Sequence, residues 1–163
     1  MSAGLRLLVM RHGPAEAAGP AGDAARALSV EGRERMRLGL AALARILPAP
    51  RRIYTSPLVR ARQTAELLAA AFDADSPVVT PLLAPGFDRA RLIGELARAA
   101  LEPLAIVGHE PDLSGFVASA LGASGSVEFD KGSACLLEML DAHRAVLRAL
   151  YPLEAMTRLA RPG

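Results

Sequence analysis

Three short stretches of this 163-residue chain bring together residue types suited to an anionic group. They are Arg11-His12-Gly13, Arg60 a few residues after Ser56-Pro57, and Gly108-His109-Glu110-Pro111. A guanidinium offers planar paired donors that match a phosphoryl group. A neutral imidazole has a lone pair that can attack phosphorus and form a phosphohistidine. With a free pKa of about 6.5, much of an unperturbed imidazole is neutral near pH 7. The chemistry these residues suit together is phosphoryl transfer, with His12 as nucleophile. Arg11, Arg60 and His109 would bind the substrate and neutralise charge on the equatorial oxygens. No metal or other cofactor is expected, because Arg and His supply the positive charge and the histidines lack metal-ligand spacing.

Each residue alone has a plainer reading: a strand-end charge for Arg11, a core histidine for His12, a solvated helix residue for Arg60, a helix cap for His109. The elements around them argue for more. Leu5–Met10 is an apolar run with the length of a buried strand, and it ends on Arg11-His12. Arg52–Thr55 reads as a second strand, followed by Ser56 as N-cap and Pro57 at the first helical position, so that Arg60 falls in the first turn. Leu58, Ala61, Ala65, Leu68 and Phe72 mark that helix's buried face. Leu104–Val107 is a further buried strand, ending at Gly108-His109, with a helix after it carried by Leu113, Phe116, Val117, Ala120 and Leu121. The expected fold is α/β: a three-layer α/β/α domain with a mostly parallel mixed sheet, spanning residues 1–163 as one unit. In such a sheet the strand-to-helix junctions share one edge, where the side chains can converge.

The motifs resemble those of the histidine phosphatase superfamily, the group with a phosphoglycerate mutase-like fold. Arg11-His12-Gly13 after the first strand is similar to its first block, and Thr55-Ser56-Pro57-Leu58-Val59-Arg60-Ala61-Arg62-Gln63-Thr64-Ala65 to its second. Gly108-His109-Glu110-Pro111 is similar to the third, which supplies a second active-site histidine. With Asp112-Leu113-Ser114, Lys131-Gly132 and the short chain, the resemblance is greatest to SixA-type phosphohistidine phosphatases. It implies a phosphatase that works through a phosphohistidine intermediate and dephosphorylates phosphohistidine in a protein, such as a histidine phosphotransfer domain. It also implies that Arg60 is the second arginine of the phosphate pocket. Arg62, two residues on and so turned away from Arg60 on the helix, reads as a surface or salt-bridge residue.

Superfamily members that act on alkyl phosphates add a carboxylate as general acid after the second helix. Here Leu83-Ala84-Pro85-Gly86-Phe87-Asp88-Arg89 stands in that region, without the Glu-rich block of mutases and without any Trp. Asp88 and Glu110 are the candidate acids, each with helix-start stabilisation as the competing role. A missing acid would suit phosphohistidine, whose leaving imidazole is a far weaker base than an alkoxide. The alternatives are a small-molecule phosphomonoesterase of the same superfamily, acting on a small phosphate ester, and a weakly active phosphate-binding module that misplaces His12.

The remaining chain adds elements rather than chemistry. Residues 14–28 read as a loop, in which Glu16 is a candidate for the substrate rim and Asp23 reads as a solvated charge. Ser29 caps a helix with Met36, Leu40, Leu43 and Leu47 on one face. Val78–Leu83, broken by Pro81, reads as an edge strand and loop. Asp88 can cap a helix with Leu92, Ile93, Leu96 and Ala100 on its apolar face. Val127–Phe129, Ala134–Leu140 and Ala145–Tyr151 read as strands, with His143 in a hairpin turn and a short helix over 153–160. The net charge of +2, a single Lys and few aromatics argue against nucleic-acid binding. No apolar run has the length of a membrane span, no leader is evident, and the expected location is the cytoplasm. The one cysteine, Cys135, lies in an apolar run and reads as a core residue.

Overall fold

A computed structural model describes residues 5–98 and 103–160. In chain order the elements are β1 (Leu5–Arg11), α1 (Val30–Ala44), β2 (Arg52–Thr55), α2 (Val59–Phe72), β3 (Val78–Val79) and α3 (Arg89–Arg98). Then come β4 (Leu104–Gly108), α4 (Asp112–Leu121), β5 (Ala134–Met139), β6 (Ala145–Tyr151) and α5 (Leu153–Leu159). The strands form one six-stranded sheet in the order β3-β2-β4-β1-β5-β6. β3, β2, β4 and β1 run parallel, while β5 is antiparallel to β1 and β6 to β5.

The side-chain period of two explains why the central strands read as unbroken apolar runs. Leu8 and Met10 of β1, with Ala105 and Val107 of β4, face one layer built from Met36, Leu40 and Leu43 of α1, the α2 stripe Ala61–Phe72, and Leu153 and Met156 of α5. Leu7 and Val9, with Leu104 and Ile106, face the opposite layer. There they meet Leu92 and Leu96 of α3 and Leu113, Phe116 and Val117 of α4. Cys135 belongs to this second core and is fully buried, and burial pushes its thiol up to about 12. The sheet therefore packs helices on both faces, the three-layer arrangement that the alternating strands and helices predict.

Several local expectations hold. Ser29 caps α1 by accepting the Gly32 N–H at 2.9 Å. Asp88 accepts from the Ala90 and Arg91 N–H groups at the start of α3. β3 is a two-residue edge strand followed by a 3-10 turn at Pro81–Leu83. His143 is exposed in the β5–β6 hairpin turn. Ala100 lies outside the described residues.

Other boundaries differ. α2 starts at Val59 with Leu58 at its N-cap, so Ser56 and Pro57 precede the helix instead of beginning it. Leu58 is only half-buried, and the buried stripe begins at Arg60 and Ala61. Val127–Phe129 forms no strand. Both edges of β1 are already taken, by β4 and β5. The segment instead buries the Phe129 side chain in the α3–α4 layer and turns the Phe129 carbonyl to Arg11. Residues 14–28 are a loop that carries a short 3-10 turn at Asp23–Ala25 and a bridge between Ala15 and Leu28.

Candidate active site

β2, β4 and β1 are adjacent, parallel and in register at their carboxyl ends, with Thr55 opposite Val107 and Arg11 opposite Gly108. The ladder continues one residue past the strands: Ser56 N–H donates to the Val107 carbonyl and His12 N–H to the Gly108 carbonyl, each at 3.1 Å. Backbone pairing alone therefore sets Ser56, His109 and His12 side by side.

Gly13 leaves room where β1 ends. A Cβ there would lie 2.6 Å from Met36 Cγ, so a side chain would force the buried Met36 side chain to shift. Its N–H donates to Thr64 Oγ1 at 3.0 Å, and the Thr64 hydroxyl donates in turn to the Arg60 carbonyl. Gln63 Oε1 accepts the Leu28 N–H at 2.8 Å. The Gln-Thr pair of the second motif thus ties α2 to the His12 turn and to the end of the 14–28 loop. Gly132, in the left-handed region at φ +81, closes the other side by donating to the His12 carbonyl at 2.8 Å.

The His12 and His109 rings lie 5.2 Å apart, centroid to centroid, tilted by 52°. Both are buried, at 5% and 4% exposure. His12 Nδ1 is 2.8 Å from the Gly13 carbonyl oxygen, which can only accept, so Nδ1 carries the proton. Arg60 Nε donates to His12 Nε2 at 3.3 Å, so Nε2 holds the lone pair. Burial is the main reason that the His12 pKa falls to about 3, and the charges of His109, Arg60 and Arg11 add to the effect against the Gly13 carbonyl. His109 falls to about 4, first through burial and then through Arg60, with Asp112 and Asp23 opposing. Both imidazoles are neutral at pH 7, and His12 is in the tautomer that a nucleophile needs.

Arg60 is buried, and each of its guanidinium nitrogens makes one hydrogen bond: Nε to His12, Nη1 to the Asp23 carbonyl at 2.8 Å and Nη2 to the Asp23 carboxylate at 3.0 Å. Asp23 is thus no free loop charge. It also pairs with Arg26 at 2.9 Å, and the hydrogen bonds from Arg26 and Arg60 hold its carboxyl below the usual range. Arg11 Nη1 donates to the Phe129 carbonyl at 2.6 Å, while its Nε is buried without a partner among the described residues.

His12, Arg60 and His109 therefore meet, and the Arg11 charge is felt at both imidazoles. Each candidate acid makes hydrogen bonds at a helix start. Asp88 Oδ1 caps α3, and Glu110 Oε2 accepts from the Ser114 hydroxyl one turn into α4. Glu16 is exposed, and the hydrogen bonds at this residue run through its backbone, to Ala27 and Arg26. Arg62 is exposed, as the helix spacing requires. Sequence reasoning passed over Ser56, which is fully buried and lies 2.7 Å through its Oγ from His109 Nε2. It also passed over the reach of Asp23 to Arg60. An N-cap signal hid the first, and only the path of the 14–28 loop reveals the second.

Comparison with known proteins fits this geometry. Residues 7–84 match the sequence model of the histidine phosphatase superfamily, branch 1. An uncharacterized protein of Picosynechococcus sp. is 39% identical over 126 residues, covering 74% of this chain and 76% of that protein. The chain belongs to the histidine phosphatase superfamily. Its activity is accordingly that of a phosphatase. The matched span holds Arg11, His12 and Arg60, while His109 reaches the site from beyond it, just after β4.

Among solved structures, the protein histidine phosphatase SixA complexed with tungstate superimposes on this histidine phosphatase with a TM-score of 0.83. The two share 22% identity over 91% of this chain and 97% of that one. A mycobacterial glucosyl-3-phosphoglycerate phosphatase gives 0.70 at 19% identity, over 91% of this chain and 99% of that one. At these identities the likeness is one of fold.

Proposed function

We propose that this phosphatase transfers a phosphoryl group from a protein phosphohistidine to His12 and then to water. His12 Nε2 attacks phosphorus, the bond to the leaving imidazole breaks, and the new bond is the P–N bond of a phosphohistidine enzyme. Arg11, Arg60 and His109 hold the equatorial oxygens through charge-assisted and neutral hydrogen bonds. Water then displaces His12 and phosphate leaves. The observation that carries the nucleophile assignment is the pair of contacts on His12: Nδ1–H to the Gly13 carbonyl and Nε2 facing Arg60.

The placement of the carboxylates supports phosphohistidine over an alkyl ester. An alkoxide leaving group needs a proton in the transition state; an imidazole with a pKa of about 6.5 needs far less help. Asp88 Oδ1 caps α3, and Glu110 is tied to Ser114 through Oε2, with its Oε1 buried and unpartnered among the described residues. Asp23, which does reach the arginine pocket, is held in its ionised form by Arg26 and Arg60, the wrong state for an acid. The substrate would be a phosphorylated histidine phosphotransfer domain, which would put the enzyme in signal transduction in the cytoplasm. Hydrolysis of a phosphohistidine protein should be compared with a panel of alkyl and aryl phosphates, for wild type and His12→Ala. Preference for phosphohistidine, lost in the variant, is the expected result. Fast turnover of an alkyl phosphate would instead favour the small-molecule phosphomonoesterase.

A further inference from the structure

His109 has one ring nitrogen committed and one without a partner. Its Nε2 lies 2.7 Å from Ser56 Oγ, and its Nδ1 is buried with no partner among the described residues. Ser56 is fully buried, and its Oγ also accepts the Leu58 N–H at 3.2 Å. A hydroxyl has one proton to give and two lone pairs to offer, and a neutral imidazole has one N–H and one lone pair. Burial and nearby cations keep His109 neutral at pH 7.

Two proton arrangements are open. In the first, His109 Nε2–H donates to Ser56. The Ser56 proton then has no acceptor among the described residues, and His109 Nδ1 is left as a bare buried lone pair beside an anion site. In the second, Ser56 donates to Nε2. Ser56 then gives its proton and accepts one from Leu58, Nε2 is satisfied, and the only group left over is an Nδ1–H. Buried polar groups favour the arrangement that leaves fewest unpaired.

We propose that Ser56 is a positioning residue: its hydroxyl donates to His109 Nε2, fixes that ring as the Nδ1–H tautomer, and so makes His109 a hydrogen-bond donor to a phosphoryl oxygen. The last step rests on the phosphatase reading above; the tautomer does not. His12 is held in the same Nδ1–H tautomer by a different kind of partner, bound at the other ring nitrogen. A carbonyl that can only accept, at Gly13, puts the His12 proton on Nδ1 and leaves Nε2 basic. A hydroxyl that can give puts the His109 lone pair on Nε2 and leaves Nδ1 acidic. Two neutral imidazoles 5.2 Å apart thereby take different duties, one offering a lone pair to phosphorus and the other a proton to oxygen.

Nitrogen NMR of imidazole-labelled full-length protein at pH 7 reads the tautomer directly, with the His109 resonances assigned by a His109→Gln variant. The expected result is Nδ1–H at His109 in wild type, a shift toward Nε2–H in Ser56→Ala, and retention in Ser56→Thr, which keeps the hydroxyl. Steady-state kinetics with a phosphohistidine protein should show kcat/KM about 10- to 100-fold lower in Ser56→Ala, the range common for removing the partner that orients an imidazole, with recovery in Ser56→Thr. Wild-type His109 protonated at Nε2 would overturn the proposal without reference to any variant. So would a Ser56→Ala protein that keeps both the Nδ1–H tautomer and wild-type kcat/KM. A wild type with the expected tautomer that hydrolyses no phosphoryl substrate would sink the phosphatase reading and leave the tautomer assignment standing.

Discussion

At the scale of single residues, burial matters more to the two histidines than any single charge does. Desolvation is the largest cause of both lowered pKa values, and it acts in the same direction as Arg60. This has consequences of opposite feel for activity and stability. His12 loses its lone pair only as the pH falls toward about 3, so kcat/KM, corrected for substrate ionisation, should stay level from pH 7 to about 5. An acidic limb centred near 6.5 would contradict this. Stability behaves otherwise. The unfolded chain takes up protons on these histidines below about 6.5 while the folded chain does not, so the folded state loses ground as the pH drops through that window. The Tm should therefore fall between pH 7 and pH 5 even while activity holds. The arginines are less forgiving of substitution. Arg60 uses Nε on His12 and both Nη1 and Nη2 on Asp23, and a lysine ammonium cannot reproduce that fork. Arg60→Ala should lower kcat by about 100- to 1,000-fold, the loss typical of a transition-state donor, and Arg60→Lys should recover little of it. At this scale the sequence was readable for Arg11, His12, Arg60 and His109, because each stands directly at a strand-to-helix junction. It was silent on Ser56, since a Ser before a Pro at the start of a helix reads equally well as a cap.

At the scale of elements, α2 and the 14–28 loop are joined by contacts that run through the site. Thr64 is fully buried and accepts the Gly13 N–H while bonding the Arg60 carbonyl. Thr64→Val keeps the shape and removes the acceptor, leaving a buried N–H unpaired; unfolding in urea should show a loss of about 1–3 kcal/mol. A change within error would mean that Gly13 finds another partner. The Asp23 contact makes a different prediction. Its carboxylate sits on Arg60 Nη2, where an incoming phosphoryl oxygen would compete for the same donor. Asp23→Asn should bind vanadate more tightly than wild type, by up to about fivefold for a pair whose acid is solvent-exposed. Weaker binding would instead show that Asp23 serves mainly to hold Arg60 in place. The loop was legible as a loop from its Ala, Gly and Pro content, but its course was not. Nothing local to Asp23 distinguishes a solvated charge from one that folds back 37 residues onto α2. Val127–Phe129 failed for a related reason: its alternation suits a strand, but β1 has no free edge for it, and tertiary pairing overrides propensity.

At the scale of the whole molecule, the sheet order decides the function. β4 enters between β1 and β2, so residues nearly 100 positions apart in the chain become neighbours at one edge. That insertion brings His109 to within a ring's width of His12 and Ser56 to His109. Periodicity located each strand, and the apolar runs showed that the sheet is covered on both faces, but no local signal states which strand lies beside which. The motif resemblance implies the fold type, in a family the chain belongs to, and the structure supplies the order. Arg, His and Gly at three separate junctions are coherent only if those junctions converge, and the parallel core β2-β4-β1 is what makes them do so.

The most direct test of this arrangement is whether a phosphoryl group becomes covalently attached to His12. Protein mixed briefly with a phosphohistidine donor and quenched in alkali should carry one acid-labile, alkali-stable phosphoryl group, located by peptide mass spectrometry at His12. His12→Ala should carry none. Label on His109, or turnover that proceeds with no label on any histidine, would contradict the assignment of His12 as nucleophile.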